Sequence, residues 1–314
     1  MNAEDTIELV CAELAPALDL LRGSGFRIDV IYPADEPHTA ILSKDGASVR
    51  LTSRPDDPGP PASAPPFRAE FLLTQAGGHS GEGRAGMVYR DLIPGRLGGR
   101  YIASHISIPK AGDVSDWVHY HHISLQLIYV REGWVRVVYE DQGEPFVMEK
   151  GDLVLQPPQI RHRVLESSAG FEVVEISCPA VHATHADHDM TLPNGPPDPS
   201  RRFSGQRFLR HVAAETPWTP YLTGEAQETG LHEATAGIAQ VRTIRSAGRD
   251  LAFPPHQGEL VFGFVLDGSG RLDCRGGHSL ERSDAFVIRP SERWSISEPS
   301  KDFRLLHVVT SGMD

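Results

Sequence analysis

The stretch WVHYHHISLQLIYVREGW, residues 117–134, places three histidines within four positions and then a glutamine inside an apolar run. Imidazole is the commonest protein ligand for transition metals near neutral pH. In a strand, alternate side chains share a face, so His119 and His121 project together while Tyr120 and His122 turn the other way. Parity changes between positions 121 and 126, which requires a turn or bulge; beyond it Gln126 shares a face with Ile128 and Val130. A third imidazole, His162, follows KGDLVLQPPQIR and belongs to a later strand pair, where it can close a site with the first two. Three imidazoles suit Fe(II), Zn, Mn, Ni or Cu in differing geometries. Gln126 is either a direct ligand or an amide that bonds a bound water or substrate.

Short β-rich segments must position these residues. RVVYED, FVMEKGDLVLQ, FEVVEISC and DAFVIRP are separated by turn residues, and 30 glycines and 25 prolines punctuate the chain. Short strands at regular spacing predict a mainly β fold. Residues 67–180 and 205–314 form two such blocks, and they read as diverged repeats. LIYVREGW matches FGFVLDGS, with Gly133 on Gly268; KGDLVLQPPQIRH matches RSDAFVIRPSERW, with His162 on Trp294.

The pattern resembles a bicupin, two double-stranded β-helix barrels in one chain. The cupin superfamily has a first motif G-x5-H-x-H-x3,4-E-x6-G and a second G-x5-P-x-G-x2-H. Here the first reads His119, His121, Gln126, Gly133, and the second Gly151, Pro157, His162, with Gln159 where the later glycine is expected. The resemblance implies metal ligands His119, His121, Gln126 and His162. In the second block Pro254, His256, Val261 and Trp294 stand at those positions, so no metal is expected there. Three-histidine sites lacking the glutamate resemble those of thiol, diketone and gentisate or salicylate dioxygenases. That implies an Fe(II)-dependent dioxygenase acting on a small, oxygen-rich chelator such as a diketone, flavonol or hydroxyaromatic acid. A Zn- or Mn-dependent isomerase, lyase or decarboxylase, or a non-catalytic ligand-binding cupin, is the alternative. A neutral Gln126 leaves the metal its full charge, which favours an anionic chelating substrate. Tyr101, Ile128 and Leu155 are expected to shape the interior, with Arg161 and Arg163 pointing away from His162.

Residues 1–54 read as βαβββ: TIELVC, the helical ELAPALDLLRGSG ending in glycine, then FRIDVIYP, HTAILSK and ASVRLTS. The order resembles one half-module of the glyoxalase or vicinal-oxygen-chelate superfamily. That family places His or Glu on its first and last strands; here Glu8 is the lone candidate, so a structural cap, or pairing across a homodimer, is expected. Residues 55–66 are a Pro-rich linker. Residues 181–204 are a polar connector; His182, His185 and His188 would align on a helix, but Pro179 and Pro193 bracket them and favour a loop.

A net charge of −12 with no Lys/Arg block argues against nucleic acid and anionic membrane surfaces as partners. Cys11, Cys178 and Cys274 are too scattered for a disulfide framework, no apolar run reaches about 18 residues, and the first residues lack a signal-peptide core. A cytoplasmic protein with a small-molecule substrate is the expectation.

Overall fold

The computed structural model describes residues 6–78, 80–82 and 87–312. Their architecture is two double-stranded β-helix units with a βαβββ segment attached to one edge. Among the described residues hydrogen bonding does not close around either unit; each is a pair of sheets facing each other.

The first unit shows why its strands read as near-continuous apolar runs. Leu125–Glu132 and Phe171–Cys178 pair antiparallel and are covered on both faces. Leu125, Leu127, Tyr129, Val174, Ile176 and Cys178 join a core shared with Phe262, Phe264, Leu306 and Val308 of the second unit. The alternate residues Ile128, Val173 and Phe171 face the interior of the first unit. Tyr101 and Leu155, expected to shape that interior, instead belong to the shared core. Tyr101 donates toward Glu259 (2.9 Å), a residue of the second block. Ile128 does line the interior.

Each block also lends a strand to the other. Leu72–Thr74 pairs with Ala285–Ile288, and Leu209–His211 pairs with Leu153–Leu155. The repeat is visible in atomic detail. Gly133 and Gly268 both sit at φ +74, and at each a Cβ would run into a serine hydroxyl, of Ser168 or Ser300. Those hydroxyls accept from the backbone N–H of Trp134 and Ser269, both at 3.0 Å. Asp152 and Asp284 likewise accept from the N–H three residues upstream, of Glu149 (3.0 Å) and Glu281 (2.9 Å).

The elements of residues 1–54 form the order expected: Thr6–Val10, a helix Leu14–Gly23, then Arg27–Tyr32, Thr39–Lys44 and Ala47–Thr52. Thr6–Val10 runs parallel to Ala47–Thr52. The connector departs from the loop expectation. Thr184–Ala186 is a strand, wedged between Arg27–Tyr32 and His119–His121, so one sheet runs from the N-terminal segment to the histidine strand. Backbone pairing satisfies polar groups that a loop in this buried position would leave open. His182, His185 and His188 therefore diverge: His182 is buried, His185 stacks on Tyr120, and His188 reaches the Ile28 carbonyl (2.9 Å). All three cysteines are free. Among the described residues no helix is long and apolar enough to cross a membrane.

A polar cluster ties the units together and sets an acid limit on stability. Arg131 ion-pairs with Glu172 and donates to Ser283 Oγ of the second block (2.8 Å), while His105 Nε2 lies 2.9 Å from Glu172. The His105 hydrogen bond and the Arg131 charge, against the opposing effect of burial, hold the Glu172 carboxyl down at about 2. A depressed acid stabilises the fold above its ordinary value and loses that contribution as pH falls through the folded one. Glu172→Gln should therefore cost about 1–2 kcal/mol at pH 7, allowing for partial solvent screening, and almost nothing near pH 2. Urea midpoints of both proteins across that range measure the convergence.

Candidate metal centre

His119 and His162 face each other as direct partners across the pair His119–His121 and His162–Ser167. His121 is two residues on, and its strand is held on the other side by Thr184–Ala186. The parity break foreseen between 121 and 126 is a change of sheet: His119–His121 lies in one sheet and Leu125–Glu132 in the opposite one. Two facing sheets thus deliver the histidines from one side and Gln126 from the other.

The three imidazoles are buried, and a ligand nitrogen from each lies within 4.8 Å of the others. Ring centroids are 4.2 Å apart for His119 and His162, and 5.3 and 5.4 Å from His121 to each. Every Nδ1 is aimed at a backbone carbonyl: His119 at Trp117 (2.8 Å), His121 at Ala183 (3.1 Å), His162 at Ile160 (3.0 Å). A carbonyl only accepts, so each Nδ1 carries a proton, which in the neutral ring leaves the lone pair on Nε2. This is the tautomer that metal ligation needs, fixed by the same kind of backbone support that orients metal-bound histidines. Asp116 reinforces it at His119 Nδ1 (3.5 Å). Burial, followed by the charges of His119, His182 and His162, pushes His121 well below its ordinary value and keeps it neutral.

Two amides complete the polar lining. Gln156 Nε2 lies 2.8 Å from His162 Nε2 and donates to it, since that nitrogen has no proton to give. A metal at His162 must displace this amide. Gln126 donates through Nε2 to Glu175 Oε1 (3.1 Å), which Ser177 Oγ also approaches (3.3 Å). Gln126 is 2% exposed, and its Oε1 is buried with no hydrogen-bond partner. A buried acceptor without a donor costs on the order of 1–3 kcal/mol, and a cation or donor within its reach would relieve it. The three imidazoles therefore fit a divalent metal, with an unsatisfied amide oxygen in the same lining.

Around these groups lies a partly open cavity of about 90 Å³. Its walls are largely apolar: Met87, Ile106, Ile108, Val137, Met148 and Phe171 among others. Tyr139 stacks on His162 (5.6 Å between centroids), and burial together with the Glu175 charge raises its phenol well above the ordinary value. His122 is exposed and, with Tyr120, lies on the far side of its strand. Arg161 is likewise outside, over the Tyr120 ring (4.3 Å) and paired with Asp187 (2.9 Å).

Glu175 and Gln156 were not singled out in the sequence. Glu175 had a signal: in FEVVEISC the inward positions are Phe171, Val173, Glu175 and Ser177, and a carboxylate on an apolar face is unusual. In the second unit Trp294 stacks on Phe253 at 3.8 Å, filling the space that His162 leaves open in the first. His256 Nε2 contacts the Ile288 carbonyl (3.3 Å). His307, buried beside Trp294, occupies the position of Glu175: it pairs with Gly263 as Glu175 pairs with Ile128.

Residues 105–176 match the family model described as the cupin domain, and this segment holds all of His119, His121, Gln126, His162 and Glu175. No curated protein sequence matches the chain. Solved structures share the two-unit fold. Salicylate 1,2-dioxygenase from Pseudaminobacter salicylatoxidans is 18% identical, with 80% of this chain and 86% of that one covered at a TM-score of 0.55. A single-site mutant of oxalate decarboxylase from Bacillus subtilis is 9% identical, covering 81% and 80% at 0.57. Protein Ylba from E. coli is 10% identical, covering 81% and 96% at 0.55.

Proposed function

We propose that the chain is a metal-dependent dioxygenase that holds one divalent metal, Fe(II) in the active form, on His119, His121, His162 and Gln126. Its substrate is a small, oxygen-rich chelator of the diketone, flavonol or hydroxyaromatic class. The observation that carries this reading is the convergence of three buried imidazoles, each with its Nδ1 held by its own backbone carbonyl, in the wall of an apolar chamber. A bound metal supplies a Lewis acid that draws chelating oxygens into place and, as iron, access to O2 chemistry. The protein's part is to hold the imidazoles neutral, present the Gln126 oxygen and exclude water with Met87, Ile106, Val137 and Phe171. Glu175 gives specific support to a second, non-redox reading as an isomerase, lyase or decarboxylase, since a carboxylate beside the site is suited to proton transfer.

Anaerobically iron-loaded protein should consume O2 with at least one member of a panel of diketones, flavonols and hydroxybenzoates. Stoichiometric metal uptake without any oxygen consumption would transfer support to the non-redox reading. No metal uptake at all would remove both.

A further inference from the structure

A neutral glutamine where cupins usually carry glutamate suggested a site short of negative charge. Glu175 changes that. It lies diagonally across the strand pair from Gln126, which is opposite Ser177, while Glu175 itself is opposite Ile128. Diagonal neighbours on one face of an antiparallel pair are within reach of long side chains, and the 3.1 Å contact shows that they meet. A carboxylate accepts and an amide nitrogen donates, so the contact admits one amide orientation. It turns Gln126 Oε1, the atom left without a partner, away from Glu175.

The same carboxylate sets the charge of the chamber. Among its described lining residues the charged groups are Glu175 and Arg163. Arg163 is solvent-exposed and alternates to the opposite face from His162 and Val164. The remaining polar lining is imidazole, amide and phenol, and the walls are aliphatic, aromatic and thioether. A substrate carboxylate entering this space would have the metal to bind it but no inward-facing lysine or arginine to screen it from Glu175, and like charges in a chamber of low dielectric repel strongly.

We infer that Glu175 is a positioning and specificity-determining residue: it fixes Gln126 with its oxygen toward the histidines and restricts the substrate to molecules that are neutral in solution. The class is then a hydroxyketone, diketone or flavonol rather than a hydroxyaromatic acid. This rests on the metal site proposed above and narrows its substrate.

The test uses zinc, which binds without turnover, and two probes of nearly the same shape. Salicylate and 2-hydroxyacetophenone both chelate through adjacent oxygens, but one carries a carboxylate and the other an acetyl group. Elemental analysis first establishes metal occupancy in wild type and Glu175→Gln, and calorimetric titration then gives both affinities. The expected result is at least a tenfold preference of wild type for 2-hydroxyacetophenone. Glu175→Gln should reduce that preference at least tenfold, mainly through tighter salicylate binding. Equal or tighter salicylate binding by zinc-loaded wild type overturns the inference, as does an unchanged ratio in the variant, or binding of neither probe up to millimolar concentration. Failure of wild type to retain zinc overturns the metal site itself, which is a separate outcome. If Glu175→Gln does not fold, the wild-type ratio decides alone.

Discussion

His162→Ala should abolish metal loading while leaving the fold intact. In the proposed site His162 faces His119 directly across the strand pair, and its removal would leave His119, His121 and one amide oxygen to hold the ion. Two imidazoles and a neutral amide make a weak site, and affinity should fall by at least about a hundredfold. The apo protein should notice much less. The ring borders a chamber that is already open, so its deletion enlarges existing space rather than creating a sealed void. The losses include the hydrogen bonds to Gln156 and to the Ile160 carbonyl and the ring contacts with Tyr139 and His119. The melting temperature of the metal-free variant should therefore stay within about 5 °C of wild type. Wild type should gain stability on adding zinc, by the mass-action effect of a ligand bound only to the folded state. The variant should gain almost none at the same zinc concentration. Calorimetric scans with and without zinc, paired with elemental analysis, read both effects. Stoichiometric zinc in His162→Ala would place the metal elsewhere.

Much of this centre is legible in the sequence because it depends on local periodicity. The alternation in HYHH separates His119 and His121 from His122, and the five-residue step to Gln126 requires a break, which the fold supplies by switching sheets. The repeat anchors Gly133 and Gly268 are legible because a glycine is needed where φ is positive and a serine hydroxyl crowds the Cα. What escapes is set by pairing between distant segments. Glu175 meets Gln126 through a register of strands almost 50 residues apart, which no local pattern fixes. The connector looked like a tether by its polar, Pro-bracketed composition. Yet it provides the strand beside His119–His121 and the Ala183 carbonyl that sets the His121 tautomer. The N-terminal segment reaches the centre by the same route, and Trp117, whose carbonyl holds His119, packs on its core. Composition gave no hint of that, because the coupling runs through backbone hydrogen bonds open to any residue except proline.

Gln126→Glu distinguishes the two ways of reading the charge at this site. Considered alone, the change restores the glutamate of the usual motif, lowers the metal's net charge and weakens anionic chelators. With Glu175 in place, it also sets two carboxylates in contact where an amide N–H now donates at 3.1 Å. Position 126 is 2% exposed in wild type, so water offers little relief. One of the pair must retain a proton that the unfolded chain would release, which raises its folded value above the ordinary carboxyl range. The sign follows: the metal-free variant matches wild type at pH below that range, where both states are protonated, and loses stability as pH rises through it. At pH 8 the loss should reach about 2–3 kcal/mol, equivalent to roughly two units of displacement. A divalent cation between the carboxylates offsets the repulsion, so zinc should raise the melting temperature of Gln126→Glu more than that of wild type. The double variant Gln126→Glu/Glu175→Gln exchanges amide and carboxylate and should recover most of the lost stability, a coupling that a double-mutant cycle of urea midpoints measures. Additive losses in that cycle, or a Gln126→Glu protein as stable as wild type at pH 8, would show that Glu175 does not govern Gln126.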